Sequence, residues 1–311
     1  MPRGPYDVMD LKALRCFWAM AKHGSLTRGG IELGISEAAV SQRIKSLERY
    51  LGTKLYEARG GRVRLTPAGE RTMQRAISLF DELDDLERTV TDQEGSSEIA
   101  LCADDATFRY LLPGTVTRFT QAFRLARLRL LARHVDTCLD LVRTNEADLC
   151  VVARRNPGDG LVFHEIAEYG SCLLMPRGHP LARRARQDYR SILDEVTVNR
   201  YPLIVSEDQL DAGSLLRGTS ERLGFPLKVC MEVTTVDTLK HYVALGIGIG
   251  AVAGYCIRDE DRGRLEVVDV PEEIAGRSVS GVVMRSDKHM SRPLRGLLAE
   301  LGVKGAAGTA Q

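Results

Sequence analysis

The sequence predicts an α/β protein in three parts: an N-terminal winged helix-turn-helix, a long linker helix, and a body of two α/β lobes. Three observations predict it. Residues 24–55 read as two short helices joined by a two-residue corner. Residues 66–90 carry apolar positions in alternating steps of three and four, the period of one long helix. From residue 98 onward, short apolar runs alternate with amphipathic stretches, as strands interleaved with helices do.

The helix pair comes first. Ser25 is an N-cap type and Gly34 ends the first helix; Ser36 caps the second, which runs to Leu51 before Gly52. The corner is Gly34-Ile35, where glycine takes the left-handed conformation that a tight turn needs. A Gly-containing turn this short between two helices marks a motif whose second helix enters the DNA major groove. The second helix sorts by face. Val40, Ile44, Leu47 and Leu51 recur at core spacing, and Ala38, Ser41, Gln42 and Lys45 lie opposite them. An ordinary amphipathic helix pair shares the first stripe. The second is small or polar and free of acids, so the helix can approach base edges. Gln42 donates and accepts at a purine edge, and Ser41 and Lys45 reach bases or phosphates. With Thr27 and Ser36 at the two helix starts, these are the candidate DNA contacts on the helices.

Around the pair, residues 10–23 form an amphipathic helix with an apolar stripe of Leu11, Leu14, Phe17, Trp18 and Ala21, which completes a three-helix core. After Leu55, Gly60-Gly61 separates two short segments as a hairpin turn. Val63 and Leu65 alternate with Arg62, Arg64 and Thr66. Arg59, Arg62 and Arg64 therefore make a basic wing beside the second helix, placed for the DNA backbone or minor groove. Thr66-Pro67 then starts the long helix, with Thr66 as cap and Pro67 at the first position. Its apolar seam of Met73, Ala76, Phe80, Leu83 and Val90, with Glu87 at the expected place between the last two and Leu86 alongside, resembles a short, imperfect coiled coil without a partner in so small a module. We expect it to pair with a second chain, which would set two recognition helices one DNA turn apart. Residues 93–98, QEGSSE, read as a hinge.

Bulk composition narrows the class. At 311 residues and 44% hydrophobic content the chain holds two or three cored domains. Net charge is +1, but residues 1–70 carry 12 basic against 7 acidic side chains and residues 71–94 carry 3 against 7. A basic head before an acidic segment suits a small DNA-binding module on a body that does not bind DNA. The seven Cys sit apart, mostly in apolar runs, and show no metal-ligand spacing, so no metal site is expected. No apolar span reaches 18 residues and the N-terminus carries no secretory h-region, so a cytoplasmic location without membrane contact is expected. The six His are scattered, and no nucleophile elbow, P-loop or HExxH occurs. The glycines of LGIGIGA (245–251) fall within a strand, where close backbone packing explains them. No catalytic residue and no cofactor are expected.

In the body, EIALCA (98–103), LRLLAR (128–133), ADLCVVA (147–153), SCLLMP (171–176), YPLIVS (201–206), KVCMEV (228–233) and IGIGAVA (247–253) read as strands. Residues 107–123, 137–145, 214–223 and 236–245 read as helices, and Gly178-His179-Pro180 as a turn between lobes. The alternation predicts mainly parallel sheets, and the count predicts two lobes.

These residues carry a resemblance. The first helix with Leu14 and Phe17, GSLT (24–27), AVSQRIKSLE (39–48), LG (51–52) and RLTPAG (64–69) resemble the reader domain of LysR-type transcriptional regulators. FRYLLPGTVTRF, GHPLA (178–182) and YVALGIGIGAV resemble that family's effector domain, and look closest to its CysB-like branch. The resemblance covers nearly the whole chain. It implies a periplasmic-binding-protein-like body of two lobes with a ligand cleft between them, a switchable small-molecule effector such as an amino acid or related metabolite, double-stranded promoter DNA and RNA polymerase as partners, and a homodimer or homotetramer. The implied domains are 9–66 (winged helix-turn-helix), 67–94 (linker and dimerisation helix), 95–303 (effector binding) and a tail at 304–311 expected to be disordered. Within the body, lobe I is about 98–168 with 268–303, and lobe II about 169–267. A cytosolic solute-binding protein or a metabolic enzyme fused to a DNA-binding domain is the alternative.

Two departures from the family stand out. Gly29-Gly30 replaces an Ala pair, a cost of about 1 kcal/mol per Gly to the first helix. Glu37-Ala38 replaces a Gln-Pro-like pair, and Glu37 would accept from cytosine N4 or repel phosphate. Clefts in such bodies lie at the carboxyl ends of strands. That gathers Asp104, Asp105, Ala106 and Thr107, then Ser206, Glu207 and Asp208, then Thr234 and Thr235 as the candidate effector site. The CysB-like branch has Thr where this chain has Asp104 and Ala106, for an anionic sulfur ligand. The acids here favour an effector with an amino or guanidino group. The bland alternative is that Asp105 caps a helix and Glu207-Asp208 form an exposed turn.

Overall fold

The structure, a computed structural model, describes residues 9–59, 62–90, 98–192, 200–206 and 228–303. The turn at Gly60-Gly61, most of the expected hinge, the expected helix at 214–223 and the tail at 304–311 lie outside the described residues. The chain divides into two compact units, one ending with the long helix and one holding the α/β body.

In the first unit, helices α1 (Leu11–His23), α2 (Leu26–Leu33) and α3 (Glu37–Leu51) are each capped by a polar side chain and closed by a left-handed glycine. Asp10, Ser25 and Ser36 accept backbone N–H bonds at the N-termini; Gly24, Gly34 and Gly52 end the helices. The core is Ala13, Leu14, Cys16, Phe17, Met20, Val40, Ile44, Leu47, Leu55 and Ala76. The stripe expected on α1 is rotated: Leu11 is 43% exposed, and Cys16 and Met20 take core positions in its place. Gly29 has a packing reason. A Cβ there would lie 2.8 Å from the backbone nitrogen of Met20, so α1 and α2 approach closer than Ala allows.

Strands β1 (Tyr56–Arg59) and β2 (Arg62–Leu65) form the antiparallel wing, with Tyr56 opposite Leu65 and Glu57 opposite Arg64. Thr66 caps α4 (Pro67–Val90), its Oγ1 accepting the Gly69 N–H at 3.0 Å. A Cβ on Gly69 would lie 1.9 Å from the carbonyl oxygen of Leu55, so the wing returns directly across this helix. The first half of the α4 seam is used within the module: Met73 and Phe80 pack on its core, and Phe80 meets Trp18 edge to face at 6.3 Å. The first half of the seam is therefore partnered within the module, against expectation; beyond Phe80, Leu86 is 59% exposed.

The second unit contains two five-stranded sheets. The first has the order β4-β3-β5-β12-β6, from β3 (Glu98–Ala103), β4 (Arg127–Ala132), β5 (Leu149–Val152), β6 (Leu161–Tyr169) and β12 (Ser278–Arg285). The second has the order β11-β7-β10-β8-β9, from β7 (Ser171–Pro176), β8 (Leu203–Ser206), β9 (Val229–Val233), β10 (Ile249–Ala253) and β11 (Leu265–Asp269). The sheets are mixed and not mainly parallel. β3, β4 and β5 run parallel, as do β8, β9 and β10, but β12, β6, β7 and β11 join antiparallel. The sequence reading missed β6, β11 and β12, and also α7 (Pro180–Gln187), whose start it read as a turn. The single helix expected at 107–123 is two pieces: a π turn at Thr107–Leu111, then α5 (Pro113–Ala122). Pro113 causes the break, because its ring clashes with the carbonyl four residues back and it offers no N–H. Helix α6 (Val135–Arg143) covers the first sheet; α8 (Val236–Ala244) covers the second so closely that a Cβ on Gly250 would lie 2.5 Å from Leu239 Cδ2. Among the described residues, no helix is long and apolar enough to cross a membrane.

Candidate DNA-reading face and effector cleft

On α3 the core face and the free face separate as the side-chain types require. Val40, Ile44 and Leu47 are buried, whereas Ala38, Gln42 and Lys45 are exposed and Ser41 is half-buried. Ser36 is exposed, its Oγ occupied by the Ala39 N–H at 3.2 Å. Thr27, in the first turn of α2, donates its Oγ1 hydrogen to Glu37 Oε2 at 2.6 Å, so it reaches the start of α3 through a carboxylate. Arg64 is exposed on the wing; the side chains of Arg59 and Arg62 lie outside the described residues, and their backbones pair at the hairpin end. Four of the candidates, Ala38, Ser41, Gln42 and Lys45, thus share one helix face, with Ser36 at the N-cap. Sequence reasoning missed the continuation of that face: a groove of about 590 Å³ runs along the end of α3, with Lys45, Arg49 and Lys54 on its walls. It also missed Glu48, which is 5% exposed and joins α3 to the chain entering the wing through Leu55 N–H and Lys54 Nζ, at 3.0 and 2.7 Å. An acid on the apolar side of an amphipathic helix was the available signal.

In the body, the turn after β3 carries four candidates together. Asp104 Oδ1 accepts the Thr107 N–H at 2.6 Å, and Thr107 itself is buried. Burial pushes the Asp104 carboxyl above the ordinary carboxylate range. Among the described residues no cation is paired with it. Asp105 is half-exposed and lies 3.4 Å from Arg109. Ala106 packs on the core of the second sheet, as does Tyr110. This one turn therefore belongs to one lobe by chain and touches the other by packing.

From the second sheet, α8 answers it. Thr235 caps α8, its Oγ1 accepting the Thr238 N–H at 3.2 Å, and Thr234 is exposed beside it. Asp237, in the first turn, receives Arg109 Nε and Tyr110 Oη, each at 2.7 Å. Lys240, 3% exposed, donates to Asp261 at 2.6 Å, to the Cys256 carbonyl at 2.5 Å and to Tyr110 Oη at 3.2 Å. Ser206 is buried at the end of β8; Glu207 and Asp208 lie outside the described residues. The sequence reading also passed over Tyr169 and Tyr255, whose rings meet edge to face at 4.7 Å where the chain crosses between sheets. Burial raises both hydroxyls, and the nearby charge of Asp104 raises them further. A lysine between Leu239 and Val243 on the apolar face of α8 was the signal for this network; nothing local marked the two tyrosines.

Comparison with known proteins covers both units. Residues 11–70 match the family described as bacterial regulatory helix-turn-helix protein, lysR family, and residues 92–304 match the LysR substrate binding domain. The RuBisCO operon transcriptional regulator of Allochromatium vinosum is 27% identical over 301 residues, 96% of this chain and 97% of that protein. The HTH-type transcriptional regulator CysB of Burkholderia cenocepacia is 25% identical over 277 residues, 88% of this chain and 86% of its own. Among solved structures, full-length LysG from Corynebacterium glutamicum with bound effector Arg superposes with a TM-score of 0.67 at 18% identity, over 94% of this chain and 96% of that one.

Proposed function

This chain belongs to the LysR family of transcriptional regulators, and from that premise we propose how its parts divide the work. It is a DNA-binding regulator with an effector-binding domain. Residues 9–66 read promoter DNA through Thr27, Ser36, Ala38, Ser41, Gln42 and Lys45, with Arg59, Arg62 and Arg64 on the wing holding the backbone. Residues 67–94 join two chains through the part of α4 beyond Phe80. Residues 95–303 bind the effector in a cytoplasmic homodimer or homotetramer that contacts RNA polymerase and catalyses no reaction. The relatives are transcriptional regulators, which supports the last point.

For the effector we propose a small molecule with an ammonium or guanidinium group, of the amino-acid class. One observation carries this: Asp104 is a largely desolvated carboxyl that takes hydrogen bonds from Thr107 and Ala106 but, among the described residues, pairs with no cation. A buried carboxylate without a counter-charge costs free energy that a cationic ligand removes. Asp105, Ala106, Thr107, Ser206, Glu207, Asp208, Thr234 and Thr235 are the proposed surround. That LysG binds Arg agrees with the class. Effector binding biases the equilibrium between two lobe arrangements and hence the spacing of paired readers; it does so only through different affinity for the two.

A thermal-shift series tests the assignment. Arginine, lysine, ornithine and their neutral acyl derivatives are compared with sulfate and thiosulfate, on wild type and on D104N. A cation-dependent shift lost in D104N supports the proposal. A shift with the sulfur anions, unchanged in D104N, overturns it.

A further inference from the structure

The structure assigns to Glu37 the reading of a cytosine in each half-site, with Thr27 as the residue that positions it. This rests on α3 being the DNA-reading helix, as proposed above. Two carboxylates lie on α3, and they differ in kind. Glu48 is buried and spent on Leu55 and Lys54. Glu37 is exposed, opens the helix, and stands four residues before Ser41 and eight before Lys45, so it shares their edge of the reading face. N-terminal residues of a recognition helix are the ones that meet base edges.

Thr27 Oγ1 holds Glu37 Oε2 at 2.6 Å, which leaves Oε1 without a hydrogen bond among the described residues. A carboxylate only accepts hydrogen bonds. In the major groove guanine presents acceptors at N7 and O6, thymine an acceptor and a methyl group, and adenine a donor beside the N7 acceptor. Cytosine presents the N4 amino group alone, so it is the base that satisfies Oε1 without facing it with an acceptor. Fixing the side chain through Thr27 lowers the rotamer entropy lost on binding. The same charge penalises a register that brings a phosphate to this point. Glu37 thus adds base discrimination to a face otherwise built of Gln42, Ser41 and Lys45.

Selection from a random double-stranded DNA library with the full-length protein tests this, using wild type, E37Q and T27V. Wild type is expected to enrich one invariant C·G pair per half-site. E37Q keeps an oxygen for Thr27 and so keeps the fold, but its amide pairs with adenine N6 and N7; it is expected to exchange C for A at that position and to bind the wild-type site roughly tenfold more weakly or worse. T27V is expected to keep cytosine with weaker enrichment, because it removes the positioning bond and not the acceptor. An unchanged motif in E37Q overturns the assignment to Glu37 while leaving α3 the reader. Wild type enriching no motif at all overturns the DNA-reading role itself, and this inference with it.

Discussion

Glu48 Oε1 accepts the backbone N–H of Leu55 at 3.0 Å, across the turn that leads from α3 into β1. Both ends of the bond are buried. It is the means by which the helix sets the position of the first wing strand, while Lys54 covers the other carboxylate oxygen from solvent.

Removing the acceptor leaves a buried N–H unpaired, which costs about 1–3 kcal/mol. E48A is therefore expected to lower the stability of the reader by that amount. E48Q, which retains an oxygen for Leu55, loses less, because Lys54 is 73% exposed and its ion pair is weak. Trp18, the single Trp, lies in the reader against Phe80, so urea unfolding followed by its fluorescence reads this unit. Equal midpoints for wild type and E48A would remove the role given to Glu48.

Gly29 sets two effects against each other. Alanine is worth about 1 kcal/mol over glycine inside a helix. Here its Cβ meets the Met20 backbone at 2.8 Å, and backbone cannot swing aside as a side-chain end can. Overpacking of this kind costs about 1–3 kcal/mol, so G29A is expected to destabilise the reader although it improves the helix. The Trp18 transition decides the sign; a higher midpoint in G29A would mean that α1 and α2 separate freely.

Gly29 also shows where the sequence stops being legible. The helix pair could be read because caps and left-handed glycines are local: Ser25, Gly34, Ser36 and Gly52 act within a turn of where they stand. The close approach that requires Gly29 is a relation to Met20 on another helix, and its spacing looks like a helix-breaking defect. In the body β3, β4, β5, β7, β8, β9 and β10 were legible from their apolar runs, but β6, β11 and β12 were not, and neither was strand direction. β12 returns from the far end of the chain to lie antiparallel beside β5, and nothing in either strand announces the other. The Asp104 turn was found by its place at a strand end. Its neighbours Tyr169, Tyr255 and Lys240 come from segments that meet it only after folding.

Asp104 gives a pH signature. Its folded carboxyl lies above the ordinary range because burial disfavours the charge. A raised folded value means the native state binds a proton more tightly than the unfolded chain. Stability is then reduced above the folded value, and is recovered as pH falls through it toward the unfolded value of about 4. D104N keeps an oxygen for the Thr107 N–H and carries no charge. In calorimetry without effector, D104N is expected to melt higher than wild type at pH 8, with the gap closing as pH falls toward that range. A gap that widens on acidification would contradict the burial of an uncompensated charge.

Gln42 and Lys45 are neighbours on one exposed face but differ in chemistry, so under the proposed DNA-reading role their substitutions separate. Lys45 adjoins the groove that Arg49 and Lys54 continue, where a phosphate backbone would run. Neutralising a phosphate contact releases one fewer counterion. K45A is therefore expected to weaken binding to all sequences alike and to reduce the slope of log K against log salt by about 1. Gln42, exposed and uncharged near the middle of the face, has a side-chain amide suited to a base edge. Q42A is expected to cost about 1–3 kcal/mol at one base pair and to relax preference there, with the salt slope unchanged. Titrations of the selected site and of a scrambled duplex across a salt series measure both. If Q42A flattened the salt slope and K45A changed base preference, the order in which α3 presents its face to the groove would be reversed.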